Sequence, residues 1–215
     1  MKVALLSESP ADEAMIFELV QGITNQSIEP ISYKIRHRGV EAIFGQLSAI
    51  YKSLHFTSEA IGLVIVLDSD TRPIHLPDHD EEGSENPKCR ICKLRKDIIQ
   101  IRQTLADRVH MPELKVAMGL AVPSIEAWCL CGKDRSVTET AWINGMKAGK
   151  LPYDTRKLKR LLYGTDRPSL ALETEVVQRE ALRVVTEFPA IEDEFPNGFG
   201  ILARELRSWI APEKE

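Results

Sequence analysis

Gly62-Leu63-Val64-Ile65-Val66-Leu67-Asp68-Ser69-Asp70 is a continuous apolar run that stops abruptly in two carboxylates separated by one residue. Five aliphatic residues in succession, with no polar alternation, are the pattern of a strand covered on both faces, and such strands belong to parallel α/β sheets. In an extended chain Asp68 and Asp70 project to the same side, about 6–7 Å apart along the strand, close enough to share a divalent ion. Ligands of open α/β sheets gather at the carboxyl ends of the strands, so chemistry is expected at this edge.

The flanking segments follow the same plan. Residues 2–7 predict a first strand, with Glu8 at its carboxyl end. Ser9 is a natural helix N-cap, Pro10 fits the first helical position, and Asp12 sits where a capping-box acid belongs. Met15, Ile16, Leu19, Val20 and Ile23 then share one helical face. Residues 31–36 predict a second strand, followed by a turn at His37-Arg38-Gly39 and a helix with Ile43, Leu47, Ile50 and Leu54 inward. Residues 71–88, rich in Pro, Asp, Glu and His, read as a long exposed loop, and a helix is expected over residues 89–109. Residues 114–122 predict a fourth strand, turned by Pro123-Ser124-Ile125-Glu126-Ala127-Trp128 into another helix. Trp128 shares the face of Ile125 and Cys129 and is expected in the core.

This alternation calls for a Rossmann-like α/β fold, a four-stranded and mainly parallel sheet flanked by helices, over residues 1–131. Residues 132–215 carry no strand pattern. Segments 138–149, 155–163, 170–187 and 199–210 read as helices of a carboxyl-terminal extension packed back on the sheet.

With 215 residues and a formal charge of −4, the chain is not one that binds nucleic acid by bulk charge, so such binding must come from local basic patches. Arg36, Arg38, Lys88, Arg90, Lys93, Arg95 and Lys96 supply candidates. No apolar run reaches the length of a membrane span, and the amino terminus enters a strand directly, so a cytoplasmic protein with no membrane partner is expected. Its four cysteines, Cys89, Cys92, Cys129 and Cys131, are then expected to be thiols. Cys89-x-x-Cys92 has the spacing of half a zinc site, with His75 or His79 upstream as partners. Since no second well-spaced pair completes it, the favoured reading is free cysteines at a loop-to-helix junction. The acidic run Asp78-His79-Asp80-Glu81-Glu82 reads as a solvated loop.

Three separate strand ends thus present acid: Glu8 with Asp12 one helical turn later, Asp68 with Asp70, and Glu126 with Ser124 two residues before it. Any one of them alone reads as a cap or a solvated side chain. Five carboxylates brought to one edge would repel strongly unless cations neutralise them, and hard divalent ions, Mg²⁺ or Mn²⁺, are the expected partners.

At these residues the sequence resembles the Toprim domain, the metal-binding α/β module of topoisomerases, bacterial primases and OLD-family nucleases. The likeness lies in the order of an acid after the first strand and Asp68-Ser69-Asp70 after a later one. Ser124-Ile125-Glu126-Ala127-Trp128 is similar to a motif of small stand-alone Toprim-like proteins of bacteria and phages, and Phe195-Pro196-Asn197-Gly198-Phe199 to their carboxyl-terminal end. The chain departs from the family at Ser9, where a glycine is usual.

The resemblance implies phosphodiester hydrolysis on nucleic acid at one or two metal ions. It makes Asp68, Asp70 and Glu126 ligands, Glu8 a ligand or general base, and Asp12 an outer ligand. Ser124 would orient a ligand or bound water, and Lys157 or Lys159 would be the assisting lysine. Residues 145–150 lack P-loop spacing, so any ATP control falls to a separate partner. Resemblance to OLD-type systems points to an ABC-type ATPase, in a phage-defence or DNA-repair setting. The alternative reading is a non-catalytic nucleic-acid-binding or regulatory subunit that retains the fold. A small-molecule phosphatase ranks last, because its nucleophilic aspartate would follow the first strand rather than the third.

Overall fold

A computed structural model describes residues 1–31, 39–105 and 113–210. Strands β1 (Lys2–Leu6), β2 (Glu29–Ile31), β3 (Gly62–Asp68) and β4 (Lys115–Ala121) form one sheet in the order β2-β1-β3-β4, every neighbouring pair parallel. The fold is the Rossmann-like α/β arrangement expected. The apolar run of β3 lies between β1 and β4, and Leu63 to Leu67 are at most 2% exposed. The second strand begins earlier than predicted; the rest of the predicted span, with Arg36 and Arg38, lies outside the described residues.

The crossover helices are α1 (Pro10–Thr24), α2 (Val40–Thr57) and α3 (Arg90–Leu105); the final predicted residues of the third, 106–109, lie outside the described residues. For right-handed crossovers the strand order puts α1 on one face of the sheet and α2 and α3 on the other. α2 indeed packs on α3.

Beyond β4 come α4 (Ile125–Leu130), α5 (Glu139–Lys147), α6 (Thr155–Tyr163), α7 (Leu170–Thr186), α8 (Phe188–Glu194) and α9 (Phe199–Ser208). The separate α8 is absent from the sequence reading, in which one helix ends at 187 and the next begins at 199. Pro189 instead occupies the first turn of a new one, where its missing N–H costs nothing.

The carboxyl-terminal helices complete the core on the open face. α7 lies along α1, and α9 lies against β4 and α1. Gly62 and Gly119 let α9 and the residue after it approach closely, since Trp209 fills the space of a Cβ at the first and Leu202 crowds the second. Trp128 is fully buried, as expected, and meets Phe199 edge-on with ring centroids 5.2 Å apart.

Candidate functional site

In the order β2-β1-β3-β4 the direction of winding reverses between β1 and β3, and the crevice at such a switch point is where α/β sheets place their ligands. Glu8 follows β1, Asp68 ends β3, and both stand at that crevice. Asp68 ties three segments together. Its backbone N–H donates to Glu8 Oε1 at 3.2 Å, its Oδ1 accepts from the Ile125 N–H at the start of α4 at 3.2 Å, and its carbonyl accepts from the Arg90 guanidinium.

Glu126 is buried at the start of α4, with Ser124 Oγ donating to its Oε2 at 2.5 Å. Lys159, on α6, places its amino group 3.5 Å from Glu126 Oε1 and 2.7 Å from Glu173 Oε1 on α7. Lys157 is exposed, so of the two lysines nominated from sequence it is Lys159 that reaches the acids. Ser9 caps α1 as predicted, its Oγ accepting from the Asp12 N–H at 3.1 Å.

The electrostatics express the crowding. Burial, and then the charges of Asp12, Glu126, Glu8 and Asp70, push the Asp68 carboxyl well above the usual carboxylate range. Burial pushes Asp12 up to about 7, with the charges of Glu126 and Glu8 adding to it against hydrogen bonds from Ser9. Burial also raises Glu8, although Arg90 opposes it. Burial opposes the charge on Lys159, but its bond to Glu173 and the field of Glu126 prevail and hold its ammonium above the ordinary lysine value. Glu8, Asp12, Asp70 and Glu126 therefore all act on the Asp68 carboxyl at this edge.

Two sequence expectations need correction here. The strand pleat ends at Asp68, so alternation does not carry Asp70 to the same side. Ser69 N–H donates to Ala121 O at 2.7 Å, Asp70 N–H donates to Pro123 O at 2.9 Å, and Asp70 adopts a left-handed φ of 49°. Its carboxylate is exposed at the rim and pairs with Arg90 at 2.8 Å. Arg90 itself, read as one of several nucleic-acid contacts, turns inward instead. It is 11% exposed and its guanidinium also lies 3.5 Å from Glu8. Arg95 is likewise engaged, with Asp80 and with Glu205 at 3.3 Å. Lys93 lies over the Phe44 ring at 3.9 Å, and only Lys88, Lys93 and Lys96 of the described basic set are exposed.

Arg90 as an internal counter-charge, Glu173 and Tyr163 are site residues that the sequence reading lacks. Tyr163 is partly buried one turn after Lys159; burial and the Glu126 charge hold its phenol protonated. The i, i+4 spacing of Lys159 and Tyr163 on a strongly amphipathic helix was the available signal. Glu173 has none, because it arrives from a different helix.

The loop over residues 71–88 is also less exposed than expected. Ile74 and His75 are buried, a 3₁₀ turn forms over Pro77–Asp80, and His75, His79, Cys89 and Cys92 come together. Comparison of the chain with protein-family models, with curated proteins and with solved structures finds no match.

Proposed function

We propose that this chain hydrolyses phosphodiester bonds of nucleic acid at a Mg²⁺ or Mn²⁺ site formed by Glu8, Asp12, Asp68, Asp70 and Glu126, a nuclease of the Toprim and OLD type. The observation that carries the reading is the convergence of five carboxylates from three segments on the switch-point crevice, against only Arg90 and Lys159 as contacting cations among the described residues. That surplus of oxygen donors fits hard divalent ions and does not fit a softer metal. A bound divalent ion would supply Lewis-acid polarisation of the phosphate and an activated water.

The residues divide the remaining work. Asp68 and Glu126 are the inner oxygen donors, and Asp70 is the donor at the solvent rim. Glu8 serves as a donor or takes the proton from water, and Asp12 supports from one turn inside α1. Ser124 fixes the orientation of Glu126 by its 2.5 Å hydrogen bond. Lys159 sets a positive charge at the buried end of the site, where negative charge on a transferring phosphate develops. Lys88, Lys93 and Lys96 offer exposed charge to the nucleic-acid backbone near α3.

No helix among the described residues is long and apolar enough to cross a membrane. Four cysteines outside any disulfide suit a reducing cytoplasm, and an ABC-type ATPase partner in phage defence or DNA repair completes the reading. The test is incubation of the purified protein with supercoiled, linear and single-stranded DNA and with RNA, in Mg²⁺, Mn²⁺ or chelator, with and without such a partner. Metal-dependent cleavage lost in chelator is expected. Binding of nucleic acid with no cleavage under any condition would favour the non-catalytic subunit.

A further inference from the structure

His75, His79, Cys89 and Cys92 take no part in the acid site, yet their ligand atoms all lie within 4.8 Å of one another. His75 Nδ1 is 3.4 Å from Cys92 Sγ and 3.7 Å from Cys89 Sγ, and His79 Nδ1 is 3.6 Å from Cys92 Sγ. Tetrahedral zinc, with Zn–S near 2.3 Å and Zn–N near 2.0–2.1 Å, sets the S···N edge of its coordination shell at about 3.5 Å. The three separations bracket that edge.

Three further features belong to a metal centre rather than to idle thiols. His75, Cys89 and Cys92 are buried, and His79 partly so. His75 turns Nδ1 to the sulfurs and places Nε2 2.9 Å from Asp80 Oδ1, the arrangement in which a carboxylate holds the outer ring nitrogen and fixes the tautomer of a metal-bound histidine. Arg95, paired with the same Asp80 oxygen and 3.1 Å from His75 Nε2, balances the carboxylate charge. The Leu76 N–H also faces His79 Nδ1, but at 3.5 Å it is too long to hold that nitrogen.

We propose that His75, His79, Cys89 and Cys92 bind a structural zinc ion, separate from the acid site, that clips the loop over residues 71–88 to the start of α3. Two nitrogens and two thiolates fill a tetrahedral shell and leave no open position, so the site is structural and not hydrolytic. Binding releases the two thiol protons to solvent. The clip spans the connection between Asp70 and Arg90, which pair at 2.8 Å, so it also fixes the rim of the acid site. It does not depend on the nuclease reading.

The experiment is zinc analysis of the full-length protein, followed by replacement with Co²⁺ and absorption spectroscopy. The expected result is about one tightly held zinc per chain, and a Co²⁺ form with thiolate-to-metal charge-transfer bands and intense four-coordinate d–d bands. Cys92→Ser should lose about half of the charge-transfer intensity and the double replacement of Cys89 and Cys92 by Ser all of it, whereas Cys129→Ala, at a buried thiol beside Met15, should retain it. Folded wild-type protein that contains no zinc and binds Co²⁺ without charge-transfer bands overturns the proposal, because any ion it holds is then among carboxylates. Charge-transfer bands that persist when Cys89 and Cys92 are both replaced by Ser overturn it as well.

Discussion

Asp68 is the residue on which the other acids of the site converge, so its charge is the one whose removal separates the readings most sharply. Asp68→Asn keeps the size of the side chain and an oxygen able to accept from the Ile125 N–H, but removes a charge that four other carboxylates oppose. Cleavage should fall to background, while the metal-free protein melts at a higher temperature than wild type. Lys159→Met should leave metal affinity within a few-fold and reduce the cleavage rate by about 10²-fold or more, the scale of losing one preorganised charge. A third residue makes a prediction about pH. Glu139 is fully buried, and burial raises its carboxyl to about 7 against a hydrogen bond from Asn197. The folded state therefore keeps a proton that the unfolded chain sheds near 4.5, so this contribution is whole below 4.5 and is lost as pH climbs to 7. The loss is on the order of 3 kcal/mol. Denaturant titrations across that window should show a shallower decline for Glu139→Gln than for wild type. The acids were legible in the sequence because each stands where a strand pattern stops. Arg90 and Asp70 were misread because a left-handed residue after the strand redirects the chain, which composition does not reveal.

Between residues and the whole lies the junction of the Phe195-Pro196-Asn197-Gly198-Phe199 segment with β4. A Cβ at Gly198 would land on the carbonyl oxygen of Leu120, backbone that cannot move without disturbing the strand. The neighbouring Asn197 N–H is held by Glu139 Oε2 at 2.8 Å, which removes the easy escape of a loop shift. Gly198→Ala should therefore cost about 3 kcal/mol, read as a lower denaturant midpoint. The motif was visible in the sequence, but its job was not, since the partner atoms come from β4 and α5. The same limit applies to residues 71–88. Their polar composition predicts an exposed loop, and the burial of His75 depends on Cys89 and Cys92, which stand just before and within the first turn of the next helix.

Across the whole molecule the parallel sheet was the most legible feature. Continuous apolar strands and amphipathic crossovers specify a doubly wound order, and that order in turn predicts where strand ends meet. The carboxyl-terminal helices were legible as helices but not as neighbours, because their docking on α1 and β4 is set by small residues such as Gly62 and Gly119 at contact points. The central claim is that the switch-point crevice is a divalent-cation site. Its most direct test is calorimetric titration of Mn²⁺ into the wild type and into Asp68→Asn, both freed of loosely held divalent ions by dialysis. One or two ions per wild-type chain, with binding weakened at least about 10-fold by the substitution, is the predicted result. No Mn²⁺ binding by the folded wild type, or equal binding by both proteins, would contradict it.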